Sequence, residues 1–355
     1  MDLTVMSQMT DKTVDQAAIG EGQATIMGMQ RAWWRFSALR ALIAVGVPDQ
    51  LSDGPRTVED LATACGAHAP TLSRLLRNIA QTGLLRTVAP ATYELTPAGR
   101  ALLHGHARVS ALYSVDDEVY NGLAELTETA RTGVAPFTLR HGSMYDYLSG
   151  VPALSAVFDQ LMDLQHVPLA NEVAGLLAAS DLPDGATVVD VGGAKGTFIG
   201  TILNANPAMR GILFDLERSA VAGKAYLAEA GVADRSEVVS GDFFQAVPVG
   251  DAYLLAHIVH NWGDDQVVSI LRTIRAAIPD DGRLLIVEAP LPVDDAPHFA
   301  KDLDIRLLTM HEGQERTVPE YEAMFAAAGF QLTSMDDLYR GESLMTAVPV
   351  PLAEG

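Results

Sequence analysis

The chain has 355 residues, a formal net charge of −21, 48% hydrophobic residues and 19% charged residues. That length exceeds the usual single domain, the apolar share can fill buried cores, and such acidity argues against a phosphate-backbone partner, which needs a basic face. The single cysteine, Cys65, excludes an intrachain disulfide and a cysteine zinc cluster. Residues 1–16 are polar and acidic, unlike a signal peptide, and no apolar run approaches the ~20 residues that span a bilayer. A cytoplasmic chain with no membrane and no nucleic-acid partner is therefore expected.

Residues 1–20 read as a frayed tail. From 22 to 51 the pattern is helical, with Trp33, Trp34, Phe36, Leu39, Leu42 and Ile43 spaced for an apolar face. Adjacent tryptophans point about 100° apart on a helix, so both cannot face one small core. Either they form a partner surface, or one is core and the other half exposed.

Residues 56–100 form a compact pattern. Thr57 is a predicted N-cap for a helix holding Leu61 and Ala62. A second helix starts at Ala69-Pro70-Thr71, carries Leu72, Leu75, Leu76 and Ile79, and ends near Gly83. Residues 84–88 and 92–95 read as short strands, and Thr96-Pro97 opens another helix. Helix-turn-helix plus hairpin is a winged helix. DNA binding is its first suggestion, but the second helix offers only Arg74 and Arg77 in a very acidic chain. Dimerisation or packing is the expected role.

Residues 106–180 read as mostly helical, without a strong turn signal before Gly150-Val151-Pro152. Met144, Tyr145, Tyr147, Leu148, Phe158, Leu161, Met162 and Leu164 supply an apolar stripe. Such a stripe is usually core, although methionine also lines surfaces that mould around aromatic ligands. From Ala186 the rhythm becomes strand-then-helix. Apolar runs at 187–191, 211–214, 236–239, 252–256 and 283–287 predict a parallel sheet covered by helices. Runs at 331–335 and 344–348 read as a closing hairpin-like pair. The expected class is α/β. A Rossmann-like domain spans 106–355, with 106–180 as connecting helices, behind a mostly helical winged-helix domain over 1–105.

Asp190-Val191-Gly192-Gly193-Ala194-Lys195-Gly196 is a strand end running into a glycine-rich turn and then a helix. Glycines there let backbone approach a ligand closely, at the strand end where open α/β sheets bind ligands. The spacing fits neither the dinucleotide fingerprint nor the phosphate loop. Asp215 ends the next strand, followed by Leu216, and a carboxylate there can accept both ribose hydroxyls. Asp242 and Phe243 follow the third strand and suit an adenine edge and face. Three acids in register at successive strand ends point to an adenosyl group.

His257 and His260 follow the fourth strand. Histidines three apart invite a zinc reading, but no third ligand or metal motif stands nearby, so no metal is expected. Histidine is the usual general base near neutrality, and Glu288, ending the next strand, could orient an imidazole.

These residues carry a resemblance over nearly the whole chain. The sequence resembles the small-molecule O-methyltransferases that include plant caffeate and flavonoid enzymes, and more closely the actinobacterial branch acting on anthracyclines and related polyketides. The matching residues are Ala38–Ala41, Gly46–Leu51 and Leu72–Arg77 in the dimerisation domain, Asp190–Gly196, Phe214-Asp215-Leu216, His260-Asn261-Trp262 and Glu315-Arg316-Thr317. The resemblance implies a class I methyltransferase domain, a homodimer joined through the N-terminal domain, and S-adenosyl-L-methionine (SAM) as cofactor, released as S-adenosyl-L-homocysteine. It makes His260 the base, oriented by Glu288 and Glu315. Asp190, Gly192, Gly193, Gly196, Asp215, Leu216, Asp242 and Phe243 would bind the cofactor. Phe158, Met162, His166, Asn261, Leu307 and Met310 would line the pocket of a small aromatic acceptor. Three positions depart from the family pattern. Asn261 replaces an aspartate, Ala256 stands where plant members carry lysine, and Glu312 stands where glycine is common. Two other readings stand beside methyl transfer: a SAM-binding relative with hydroxylation, decarboxylation or pericyclic chemistry, and a ligand-sensing winged-helix regulator.

Overall fold

The computed structural model describes residues 16–310 and 313–351. Glu312 therefore lies outside the described residues, as does most of the expected N-terminal tail. The chain divides after Val115 into two compact units.

The first unit opens with helix Gln16–Ala44, which ends before Gly46 adopts a left-handed φ of 81°. Only its C-terminal part reaches the core, through Ala38 and Leu42. Every residue from 18 to 34 is exposed, including both tryptophans. Neither Trp33 nor Trp34 is core, so of the two readings the partner surface is the one the structure supports. Thr57 caps helix Val58–Cys65 by accepting the Asp60 amide, and helix Ala69–Ala80 follows. Strands β1 (Arg56–Thr57), β2 (Leu85–Ala89) and β3 (Thr92–Leu95) pair antiparallel in the order β1-β3-β2. This is the winged helix, with one more strand than expected. Past Pro97 the chain forms a 3-10 helix, Ala98–Leu102. Helix Gly105–Tyr113 belongs to this unit, where Arg108 pairs with Asp49 at 2.9 Å.

In the second unit, residues 116–180 are more broken than the sequence suggested. Helices Asp117–Gly122, Leu126–Thr132, Pro136–His141 and Met144–Gly150 precede the long Pro152–Ala178. Local chemistry sets each break. Asp116 accepts the Glu118 and Val119 amides, Gly133 takes a φ of 72°, and Ser143 forms a capping box with Asp146.

Strands β4 (Thr187–Val191), β5 (Arg210–Asp215), β6 (Ser236–Ser240), β7 (Ala252–Ala256), β8 (Arg283–Glu288), β9 (Phe330–Asp337) and β10 (Ser343–Pro349) form one sheet. Its order is β6-β5-β4-β7-β8-β10-β9. Strands β4 to β8 run parallel, and β10 is antiparallel to both β8 and β9. Alternate residues serve opposite faces. Val188, Leu213, Leu254, Leu285 and Val287 pack with helices Pro152–Ala178 and Thr197–Ala205. Val189, Val191, Tyr253, Leu255 and Ile286 pack with helices Asp264–Ala277 and Val318–Ala328. Burial on both faces explains the unbroken apolar runs. Because β4 to β8 are parallel, their carboxyl ends share one edge, and the residues singled out in the sequence gather there. Among the described residues no helix is long and apolar enough to cross a membrane.

Candidate active site

The loop after β4 is shaped by close backbone approach. Gly192 has a φ of 72° and donates its amide to the Phe214 carbonyl at 2.7 Å. A Cβ on Gly193 would sit 2.4 Å from the Asp190 carboxylate and 2.6 Å from Leu213, so only glycine fits. Gly196, at φ 88°, caps helix Thr197–Ala205. Asp190 lies buried beneath this turn and accepts the Ile199 amide at 3.2 Å. Burial, reinforced by the Asp215 charge, pushes its carboxyl up to about 7. Asp190 thus secures the loop and helix from below.

Asp215 stays partly exposed and accepts the amides of Ala194 at 2.8 Å and Leu216 at 2.6 Å. Leu216 is exposed beside it. Asp242 accepts the Phe244 amide and the Gln245 side chain. Phe243 stands edge-on to Trp262, with centroids 5.8 Å apart. Lys195, which the sequence reading passed over, pairs with Asp163 of helix Pro152–Ala178.

The chain then turns through a 3-10 segment, Val259–Asn261, that buries His260. Its Nδ1 lies 2.8 Å from Glu315 and 3.1 Å from Glu288, and Glu288 also accepts the His260 backbone amide at 3.1 Å. An ionised carboxylate only accepts, so with Glu315 ionised the proton sits on Nδ1 and Nε2 keeps the lone pair. Burial pushes Glu288 up to about 7 and Glu315 up to about 8. Burial also lowers His260, against the pull of Glu288 and with the nearby His257 charge. The three groups share protons as one cluster, with the imidazole neutral at neutral pH. Candidate ligand atoms of His260, Glu288 and Glu315 lie within 4.8 Å of one another, so the fold brings to His260 two carboxylates that the sequence analysis did not count as ligands, and one oxygen of each, Glu288 Oε2 and Glu315 Oε2, has no hydrogen-bond partner.

Arg316 is fully buried and clasps this turn. Its guanidinium donates to the carbonyls of Trp262 at 2.7 Å and Val259 at 3.3 Å, and to Asp264 at 2.8 Å. On the other side a Cβ on Gly313 would lie 1.9 Å from the His260 carbonyl oxygen. The Glu315 amide donates to Asp304 of helix Phe299–Met310 at 2.9 Å, which brings that helix to the site.

Of the expected acceptor residues, Leu307 and Met310 are buried on this helix. Phe158, Met162 and His166 lie four residues apart on helix Pro152–Ala178 and so share one stripe. His166 reaches the centre of the site, with its Nε2 2.9 Å from His257 Nδ1. The Asn261 side-chain amide donates to the His257 carbonyl at 2.8 Å. It is thereby committed to the loop. The sequence reading missed Glu342, just before β10, which takes His257 Nε2 at 2.9 Å. It also gave Arg316 no role.

The signature of an O-methyltransferase domain matches residues 120–331, and that of an O-methyltransferase dimerisation domain matches residues 27–105. The chain belongs to the O-methyltransferase family. Like that family's dimerisation domain, the N-terminal unit joins two copies as a homodimer. The phenazine O-methyltransferase PhzM of Lysobacter antibioticus is 36% identical over 330 residues, covering 92% of this chain and 96% of its own. The mitomycin 7-O-methyltransferase MmcR superposes with a TM-score of 0.86 at 30% identity, covering 95% of this chain and all of that one. NcsB1, an O-methyltransferase from neocarzinostatin biosynthesis, was solved with SAM and 2-hydroxy-5-methyl naphthoic acid. It superposes with a TM-score of 0.76 at 30% identity, covering 89% of this chain and 96% of that one. Relatives also include the aclacinomycin 10-hydroxylase RdmB of Streptomyces purpurascens, 33% identical over 313 residues, 84% of this chain and 81% of its own.

Proposed function

We propose that this family member transfers the methyl group of SAM to a hydroxyl, phenolic in character, on an aromatic or polyketide-type metabolite. One observation carries the reading. Buried Glu315 holds His260 Nδ1 while buried Glu288 lies beside it and takes the His260 backbone amide, which leaves Nε2 as the free nitrogen. The residues at the strand ends suit SAM. A glycine cradle with no room for a Cβ, a ribose-facing acid and an aromatic beside a second acid match its parts. In this reading Gly192, Gly193 and Gly196 shape the methionine side, Asp215 and Leu216 meet the ribose, and Asp242 and Phe243 meet the adenine. Asp190 holds the cradle from beneath. When bound, SAM supplies an activated methyl carbon. His260 Nε2 would take the proton of the acceptor hydroxyl as the methyl passes to that oxygen from the sulfonium sulfur, whose bond to it breaks to leave S-adenosyl-L-homocysteine. Glu288 and Glu315 then face the imidazolium that forms. Phe158, Met162, His166, Leu307 and Met310 position the acceptor, and alignment alone supplies much of the rate. The free thiol Cys65 suits the cytoplasm as the place of this reaction.

Gly193→Ala is expected to abolish SAM binding measurable by calorimetry, because the added Cβ drives the loop off Asp190 and Leu213. Micromolar affinity in that variant would show that the loop yields.

A screen of aromatic acceptors with SAM, scored by mass for the gain of one methyl group, tests the whole reading. The likeness to RdmB favours one rival, a SAM-binding hydroxylase. An acceptor converted without that gain would establish the rival.

A further inference from the structure

A second hydrogen-bonded chain runs beside the base. Glu342, only 2% exposed, takes His257 Nε2 at 2.9 Å, and His257 Nδ1 meets His166 Nε2 at 2.9 Å. The His257 ring stacks on His260 with centroids 5.5 Å apart and planes 13° apart. His257 has a φ of 55°, a strained conformation for a residue with a Cβ. Its carbonyl is held by Asn261 and its amide by the Val287 carbonyl at 3.0 Å. The backbone strain places the imidazole between His166, His260 and Glu342.

Resting on the reading above, we propose that Glu342 and His257 fix His166 as a hydrogen-bond donor toward the acceptor. The site then favours acceptors with an oxygen lone pair, a carbonyl, carboxylate or second phenolate, close to the hydroxyl that is methylated.

The proton positions follow from the partners. A carboxylate has no proton to give, so His257 Nε2 is protonated. Burial opposes a charge on His257, but Glu342, with Glu288 and Glu315, outweighs it and raises the imidazole to about 9. As an imidazolium, His257 also donates from Nδ1. His166 Nε2 must accept there, which leaves the His166 proton on Nδ1. Burial first, then the His257 charge, keeps His166 neutral, with His260 and Lys195 acting in the same direction. Were His257 neutral, the logic would invert. His166 Nε2 would donate and its Nδ1 would accept. The state of the Glu342 end therefore decides whether the free His166 nitrogen is a donor or an acceptor.

In this reading the free nitrogen serves recognition. His166 shares its helix stripe with Phe158 and Met162 and leans on Phe198 at 5.5 Å. Two ring contacts, of 5.0 and 5.5 Å, link it to His260.

Histidine 15N spectra of the dimer at pH 7, assigned with His166→Gln and His257→Gln, read the relay without SAM or acceptor. The expected result is a doubly protonated His257 and His166 as the Nδ1–H tautomer, with both changed in Glu342→Gln. A wild-type His166 carrying its proton on Nε2 overturns the proposal, whatever the enzyme methylates. Calorimetry then compares a phenol bearing an ortho carbonyl or carboxylate with the same phenol lacking it. Glu342→Gln should remove about 10-fold of the first phenol's affinity advantage, about 1.4 kcal/mol. Equal weakening of both phenols, or no preference in the wild type, overturns the recognition role. Failure of any phenol to gain a methyl group would instead count against methyl transfer.

Discussion

Replacing His260 by alanine is expected to lower methyl transfer by about 100-fold or more, the usual scale for losing a general base, with SAM affinity nearly unchanged. The separation follows from the layout. His260 lies after β7, between Glu288 and Glu315, whereas the residues proposed to hold SAM cluster at the ends of β4, β5 and β6. Single-turnover rates and SAM calorimetry on the one variant check both halves, and wild-type turnover would remove the assignment. The pH profile carries a further mark. His260 is lowered from 6.5, so the acid limb of wild-type kcat should fall below pH 6.5. The variant should also lose stability as pH rises. Glu288 and Glu315 have folded values raised to about 7 and about 8 from 4.5. In that window the folded state binds more protons than the unfolded one, so stability falls as pH climbs through about 7–8. Without His260, which holds Glu288 down, the fall should extend to higher pH than in the wild type.

Gly313→Ala is expected to be nearly as damaging although its side chain is a single methyl. The Cβ would lie 1.9 Å from the His260 carbonyl oxygen and 2.5 Å from the Asn261 carbonyl carbon. Both obstacles are backbone, and Arg316 clasps the same turn, so the turn cannot simply step aside. A displacement of about 1 Å at the base is enough to cost about 100-fold. Overpacking should also remove about 1–3 kcal/mol of stability. Calorimetric SAM affinity, kcat and thermal midpoint separate these effects. A variant with normal kcat would show that the two backbones stand farther apart.

The sequence made the sheet legible because parallel strands buried on both faces are unbroken apolar runs, as at Val188-Val189 and Leu284-Leu285-Ile286-Val287. The acids and His260 were legible because a parallel sheet brings successive strand ends to one edge. Glu342 was not legible. It stands 85 residues from His257 and reaches it only because β10 returns antiparallel beside β8. No local pattern announces such a partner. Arg316 was hidden differently, since its partners are mostly carbonyls, which any residue can supply. The short helices of 116–150 escaped notice because single caps, Asp116 and Ser143, end and restart them within an otherwise helical pattern.

The bare helix Gln16–Ala44 bears on what stability means for this molecule. Ile26, Met27, Met29, Trp33, Trp34 and Phe36 all stand exposed on one chain. Apolar area of that kind is covered when two copies meet. Folding and pairing then draw on the same free energy, and mass action enters. Dilution weakens each protomer even when no residue has changed, and any variant compared at a different concentration is a different experiment.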